Sequence, residues 1–466
     1  MPDRLARKWF LLPIAAMILG SSMVMSCAQT GPPPAPTTPA KPAAPAAAPP
    51  TQPPAAPKPA ATQAPAAPAA APQEIKIGVL FPLTGGAATI GLDCKLGTDL
   101  AAEIVNGKFD LDMPLARTEG LPNLGGAKVK LITVDHQALP EKGQSEAERL
   151  VLQEGVIALF GTYYSSVALT ASQAAERLGI PMVNGDCSSP TLTERGLKYF
   201  FRTGPHDGTN VKNFFDMLDD IQKQKGVSIK TIGIVNENTL AGNDMNKNSK
   251  KLAQERGYQV VADILYPQNT SEVTSEVQRL KAANPDVVIQ LSYTSEAILF
   301  VKTYKLLDFN PQGVLAYGAG FTDPKFFDVL GKDSQYYISK AAWAPDVAEK
   351  KPGAKAIADM FKSKTNQEMT ENSSRDFTAM LTLLDAINRA KSTDPKAIQK
   401  ALTETEIPGD QLIMPWQGIK FGPDGQNVYA QGVNTQVFGG KHYTVWPFDL
   451  ASKELVWPRP KWSDIK

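Results

Sequence analysis

Polar side chains able to grip a small ligand gather at two turns of this chain. The first is Gly161-Thr-Tyr-Tyr-Ser-Ser166, which follows the short apolar run Ile157-Ala-Leu-Phe160. After it, Val167, Ala171, Ala174, Ala175 and Leu178 recur at helical spacing. Strand, hydroxyl-rich turn and helix therefore follow one another. In an open α/β sheet such a turn lies at the carboxyl end of a strand, where ligands bind. The helix start also offers free N–H groups and a partial positive charge, to which Tyr164, Ser165 and Ser166 add hydroxyls. Ser165 or Ser166 could equally serve only as a helix N-cap. The second turn is Asn184-Gly-Asp-Cys-Ser-Ser-Pro-Thr-Leu-Thr193, after the short strand Pro181-Met-Val183. It brings Asp186, Cys187 and Ser188 together.

Catalytic readings of these residues are weak. No Gly-x-Ser-x-Gly elbow surrounds Ser165. Cys187 has no histidine close to it in sequence. The three histidines (His136, His206, His442) and three cysteines (Cys27, Cys94, Cys187) show no metal-ligand spacing. Gly86 and Gly91 are spaced as in a phosphate-binding loop, but Leu92 stands where that motif needs lysine. No metal, cofactor or catalytic group is expected.

The elements that position these turns are legible over much of the chain. At 466 residues it exceeds what one core usually holds, so two lobes plus additional segments are expected. Lys+Arg 48 against Asp+Glu 47, without a dense basic block, argues against nucleic acid as the main partner. Arg4, Arg7 and Lys8 precede the apolar run Trp9–Leu19, the plan of a signal peptide rather than a membrane span. It ends at Val24-Met-Ser-Cys27, which resembles a bacterial lipobox and predicts cleavage before Cys27 and lipidation of that residue. An ordinary secretory signal is the other reading. Residues 28–73 are almost entirely Pro, Ala, Thr and Gln and hold more than a third of the 38 prolines, so they read as a disordered tether. Outside the cytoplasm, Cys94 and Cys187 could pair as a disulfide or stay free.

From residue 74 strands and helices alternate. Glu74–Phe81 and Val129–Val134 are strands with helices after them, followed by the two turns above. Thr203-Gly-Pro205 reads as a crossing. A second series follows, with strands at Thr231–Val235, Val260–Ile264, Asp286–Gln290 and Val314–Tyr317. Two such series imply two parallel-sheet lobes of one architecture. Helices near Ala354–Ser363 and Arg375–Lys391 and β-like runs at Val433–Phe438 and His442–Phe448 suggest that the chain returns to each lobe in turn.

At this point the sequence resembles the leucine/isoleucine/valine-type periplasmic binding proteins of ABC importers. The resemblance rests on Phe81-Pro-Leu-Thr-Gly85 with Gly91, Asp135, Gly161–Ser166, Pro190-Thr-Leu-Thr193, Phe201-Arg-Thr203 and Phe421-Gly-Pro-Asp-Gly425. It implies the type I fold, two doubly wound βα lobes joined by a three-crossing hinge. Lobe 1 would span 74–204 and 340–425, and lobe 2 would span 205–339 and 426–466. It further implies a monomeric, extracytoplasmic solute receptor, held at the membrane only through its lipid. Such a receptor would deliver a small molecule, a branched-chain amino acid or a related carboxylate or amide, to an ABC permease and its ATPase subunits. A ligand-sensing receptor of the same fold is the alternative. By resemblance, the ligand carboxylate falls to Tyr164 and Ser165 with their loop N–H groups and to Ser188. Ile90 takes the aromatic-wall position of the first loop, and Tyr293 the second-lobe tyrosine. The acid that pairs a ligand ammonium in the family falls on Ala319, and its other tyrosine on Ala241. A buried ammonium without a partner is costly. Either the ligand lacks that group, or another acid supplies the charge, with Asp186 the first candidate and Glu237 the second. A turn-forming role for Asp186 is the competing reading.

Overall fold

β1 (Glu74–Phe81) alternates in burial at its start and is fully buried at its end, as befits a strand entering the middle of a sheet covered on both faces. The computed structural model describes residues 73–466. Cys27, the signal segment expected over 1–27 and all but the last residue of the tether lie outside those residues. β1 is followed by α1 (Ala88–Asn106), β2 (Lys128–Asp135), α2 (Pro140–Leu152), β3 (Ala158–Gly161) and α3 (Ser165–Leu178). Then come β4 (Met182–Asn184), the one-turn α4 (Thr191–Glu194) and β5 (Phe200–Arg202). These strands form a five-stranded parallel sheet in the order β2-β1-β3-β4-β5.

After a crossing at 203–206 the second series runs α5 (Asp207–Lys225), β6 (Thr231–Glu237), α6 (Leu240–Glu255), β7 (Gln259–Tyr266) and α7 (Thr274–Ala283). It continues with β8 (Val287–Leu291), α8 (Thr294–Leu306), β9 (Gly313–Ala316), α9 (Pro324–Leu330) and β10 (Ile338–Ala341). α10 (Pro345–Glu349) and α11 (Pro352–Thr365) lead to α12 (Glu371–Ala390), which packs on α1. α13 (Pro395–Thr403) and a small hairpin, β11 (Glu406–Pro408) with β12 (Gly418–Lys420), come next. The chain then crosses again to β13 (Val433–Phe438) and β14 (Lys441–Trp446). The second sheet has seven strands in the order β14-β13-β10-β9-β8-β6-β7, all running the same way except β13, which is antiparallel to both its neighbours.

In each sheet the chain adds one neighbour to the first strand and then switches to its other side. The switch falls between β1 and β3 in one sheet and between β6 and β8 in the other. Crevices open at the carboxyl ends of strands at such points, so the loops after β3 and β8 are the natural ligand loops. β10, with only four residues, carries the second sheet to Ala341, beyond the 339/340 division expected. Ile338-Ser-Lys-Ala341 has no apolar run to mark it, yet all four residues are buried. α12 is buried along almost its whole length. That close packing depends on Gly97 in the middle of α1, where a Cβ would lie 2.1 Å from the Ser373 carbonyl oxygen.

Candidate functional site

The first turn is forced by its backbone. Gly161 has φ +110°, and a Cβ there would meet the Leu80 carbonyl oxygen of the neighbouring strand at 2.2 Å. Tyr163 sits at φ 113°, a conformation that costs a non-glycine residue about 1–3 kcal/mol and persists only when its surroundings hold it. α3 begins at Ser165, and its N-cap residue is Tyr164, which makes no side-chain cap. The N-cap reading of Ser165 therefore gives way. Ser165 Oγ instead accepts the Ser189 N–H at 3.4 Å, linking the two ligand turns. Ser166 is half-buried one position further along the helix. Ile90 is wholly buried in the core and does not line the cavity described below.

The second turn is held by two buried arginines. Arg202 donates to the carbonyls of Cys187 (3.2 Å) and Ser189 (2.6 Å), to Thr193 Oγ1 and to Gln426 Oε1. Arg375, from the first turns of α12, donates to the carbonyls of Gly185 (3.1 Å) and Asp186 (2.7 Å). Its guanidinium also pairs with the Asp186 carboxylate at 3.2 Å, with both side chains almost fully enclosed. Asp186, the first candidate for pairing a ligand cation, is thus already the counter-ion of Arg375. Nothing local to either residue signals this pairing, since the two stand 189 positions apart.

The possible Cys94–Cys187 disulfide is not formed. Both cysteines are free and buried. Cys94 Sγ donates to Asp186 Oδ2 at 3.2 Å, whereas Cys187 Sγ lies 3.5 Å from Thr162 Oγ1. Burial pushes both thiols up, Cys187 to about 11. Cys94, Asp186 and Asp376 bring three ligand-type groups within 4.8 Å. Their charge is moderated by Arg375 and by burial of Asp376, which drives its carboxyl well above the usual range. A thiol count on unreduced, denatured protein is expected to find Cys94 and Cys187 both reactive. A count of neither would restore the disulfide.

The second lobe brings Ala241, Tyr293, Tyr317, Ala319 and Lys340 to the opposite wall, with Glu237 outside the lining. Glu237 is the last residue of β6, and Tyr293 follows β8, so both stand at the second switch point. Glu237 is fully buried, and neither carboxylate oxygen has a hydrogen-bond partner among the described residues. Burial, and then repulsion from Glu296 in the first turn of α8, pushes it up to about 8. Ala319, at the position expected for an acid, lines the cavity and carries no charge. Lys340 of β10 pairs with Glu371 at the start of α12 at 3.2 Å, while Glu371 also accepts the Ala342 N–H.

These groups surround a cavity of about 30 Å³. Of the expected residues, Ser165, Asp186, Ser188, Tyr293 and Ala319 line it. Tyr163, whose hydroxyl has no partner among the described residues, Arg375, Lys340 and Asn372 line it too and were not anticipated. Tyr164, Ser166, Cys187 and Glu237 are not among the lining residues. The lobes are closed on one another. The Tyr164 and Tyr293 rings meet at 4.1 Å, Asn372 donates to Thr322 Oγ1, and Ser189 and Thr191 donate to Asp244 of α6. The volume holds about two waters. A solute of amino-acid size enters only when the lobes part or the tyrosine rings turn aside.

Two βα lobes joined by three crossings, with facing switch points around one polar cavity, define a hinged binding protein. The chain belongs to the periplasmic binding protein family, which it matches over residues 74–438, and its fold is the type I fold of that family. Leu/Ile/Val-binding protein homolog 7 of Brucella suis biovar 1 (strain 1330) is 29% identical over 400 residues, 84% of this chain and 95% of that protein. A leucine binding protein, LivK, from Thermotoga maritima superposes with a TM-score of 0.69 at 22% identity, covering 80% of this chain and 99% of its own. A solute binding protein of an ABC transporter from R. palustris in complex with benzoate gives 0.67 at 19% identity, covering 80% and 95%.

Proposed function

We propose that this chain is the solute-binding component of an ABC importer, which captures a small carboxylate- or amide-bearing solute between its lobes and presents it to a permease and its ATPases. One observation carries this reading. Hydroxyls of Tyr163, Ser165 and Ser188 on the first lobe line the cavity opposite Tyr293 on the second, and the buried carboxylate of Glu237 lies next to Tyr293, outside the lining itself. Such a pair of ends suits a solute with an anionic or carbonyl head. Where the solute also carries a cation, Glu237 is the acid that meets it in place of Ala319. Closing of the hinge is favoured by the contacts a solute makes with both lobes at once. Leucine, for the Thermotoga maritima leucine binding protein, and benzoate, for the R. palustris solute binding protein, bracket the ligand class. Family membership implies an extracytoplasmic location, and Cys27 with the tether of 28–73 would hold the receptor to the membrane by lipid alone.

Titration calorimetry against branched-chain amino acids, benzoate, simple amides, urea and small organic acids tests the proposal. At least one class is expected to bind, and silence from all of them refutes it. Ser165→Ala should weaken a carboxylate ligand more than about tenfold, the scale of a lost charge-assisted hydrogen bond. Unchanged affinity would leave Ser165 as a structural link between the two turns.

A further inference from the structure

The cleft cavity carries more positive than negative charge on its own surface. Lys340 and Arg375 line it, and Asp186 is the one acid among the lining residues. Asp186 is held by Arg375 at 3.2 Å. Glu371, the counter-ion of Lys340 at 3.2 Å, stands outside the lining. An ammonium has three N–H donors, and among the described residues Lys340 Nζ donates only to Glu371. Two donors are left on a side chain that lines the cavity.

The neighbouring loop is shaped to admit that side chain. Gly318, directly before Ala319, has φ +60°, and a Cβ on it would lie 2.6 Å from Lys340 Cε and 2.9 Å from Glu371 Oε1. The bare Gly318-Ala319 turn therefore makes room for the Lys340–Glu371 pair. The chain supplies a cation of its own at the wall where Ala319 offers no acid. In a cavity of about 30 Å³, room for about two waters, Lys340 and the hydroxyls of Ser165 and Ser188 meet the same end of a solute. A ligand ammonium at that end would be set against two buried cations. An oxygen acceptor there gains a charge-assisted hydrogen bond instead.

Resting on the function proposed above, we infer that the solute captured in the cleft is an oxo acid rather than an amino acid. It carries a carboxylate and, on the adjoining carbon, a second oxygen acceptor that Lys340 Nζ holds.

Calorimetry on the full chain with three matched pairs tests this: α-ketoisocaproate against leucine, phenylpyruvate against phenylalanine, and α-ketoglutarate against glutamate. Each pair shares a skeleton and differs only in an oxo or an ammonium group. In at least one pair the oxo acid should bind at least about tenfold more tightly, the scale of a charge-assisted hydrogen bond, and in none should the order reverse. The parent acid with neither group (isocaproate, hydrocinnamate or glutarate) should fall below its oxo acid by a similar factor. Lys340→Met combined with Glu371→Gln removes both charges of the pair and should bring the oxo acid down to the affinity of its parent acid. Ala319→Asp leaves the pair in place, at a φ of 48° that aspartate tolerates. It should weaken the oxo acid at least about tenfold and strengthen the amino acid. An amino acid that binds as tightly as its oxo acid overturns the inference and leaves the receptor function standing. So do oxo acids that stay silent while benzoate or an amide binds, and an oxo-acid affinity that neither variant moves. Silence from oxo acids, amino acids, benzoate and amides alike overturns both.

Discussion

Glu237→Gln should flatten the pH dependence of stability between about pH 4.5 and 8 and make the ligand-free protein more stable at the upper end. The sign follows from proton counting. Glu237 holds its proton up to about pH 8 in the folded chain, against an ordinary value of 4.5. Between those values the unfolded chain has released the proton and the folded chain has not, so stability falls as pH rises through that window. A difference of three to four pH units is worth roughly 5 kcal/mol at full development, less whatever burial of the amide costs. The backbone N–H of Tyr293 offers the carboxylate some relief, but less than burial and Glu296 take away. Glu296 repels it, and the nearby rings of Tyr164, Tyr266 and Tyr293 are neutral. Urea unfolding of wild type and variant at several pH values measures the effect, and parallel curves would show that Glu237 carries no such burden. A cation-bearing solute should draw the proton off Glu237 as it binds. Calorimetric heats at pH 7 should then vary with the ionisation enthalpy of the buffer in wild type, but not in the glutamine variant. A solute with no cation, such as benzoate, should show no such dependence.

Arg375→Met should be the most damaging single change in the first lobe. It leaves the Asp186 carboxylate buried beside Asp376 and Cys94 with no counter-ion, and it strips the Gly185 and Asp186 carbonyls of their donor. Removing one partner of a buried pair costs about 3–5 kcal/mol. Adding Asp186→Asn should recover a large part of that loss, because the stranded charge disappears. The coupling between the two changes should be on the order of 1–3 kcal/mol. A loss below about 1 kcal/mol for the single variant would show that the Arg375–Asp186 pair contributes little to the first lobe.

The alternation of strands and helices and the two ligand turns were legible because they are local. A strand, a hydroxyl-rich turn and a helix start occupy a dozen consecutive residues, and Tyr293 stands in the same relation to its own strand. The charged lining was not legible because its meaning is long-range. Arg375 and Asp376 follow two serines and read, in one dimension, as the exposed start of a helix. They are buried because α12 lies against α1 where Gly97 lets the backbones approach. That glycine in mid-helix was the one local sign of a close packing partner. Lys340 lies in a strand with no apolar run, and Asp186 looked like a free acid because its partner is in the last third of the chain. The same distance explains the cysteines, whose thiols find Asp186 and Thr162 rather than each other.

The two arginines that hold the 184–193 turn have a consequence for the order of events in binding. Arg202 lies in β5 of the first sheet, and Arg375 in a helix packed on the first lobe's own α1. The turn therefore keeps its shape whether the lobes are together or apart. A solute arriving at the open receptor meets a rigid half-site that needs no rearrangement, while the far wall of Tyr293, with Glu237 next to it, arrives afterwards. Capture rate is then a property of the first lobe and residence time a property of the second, so the two can change independently.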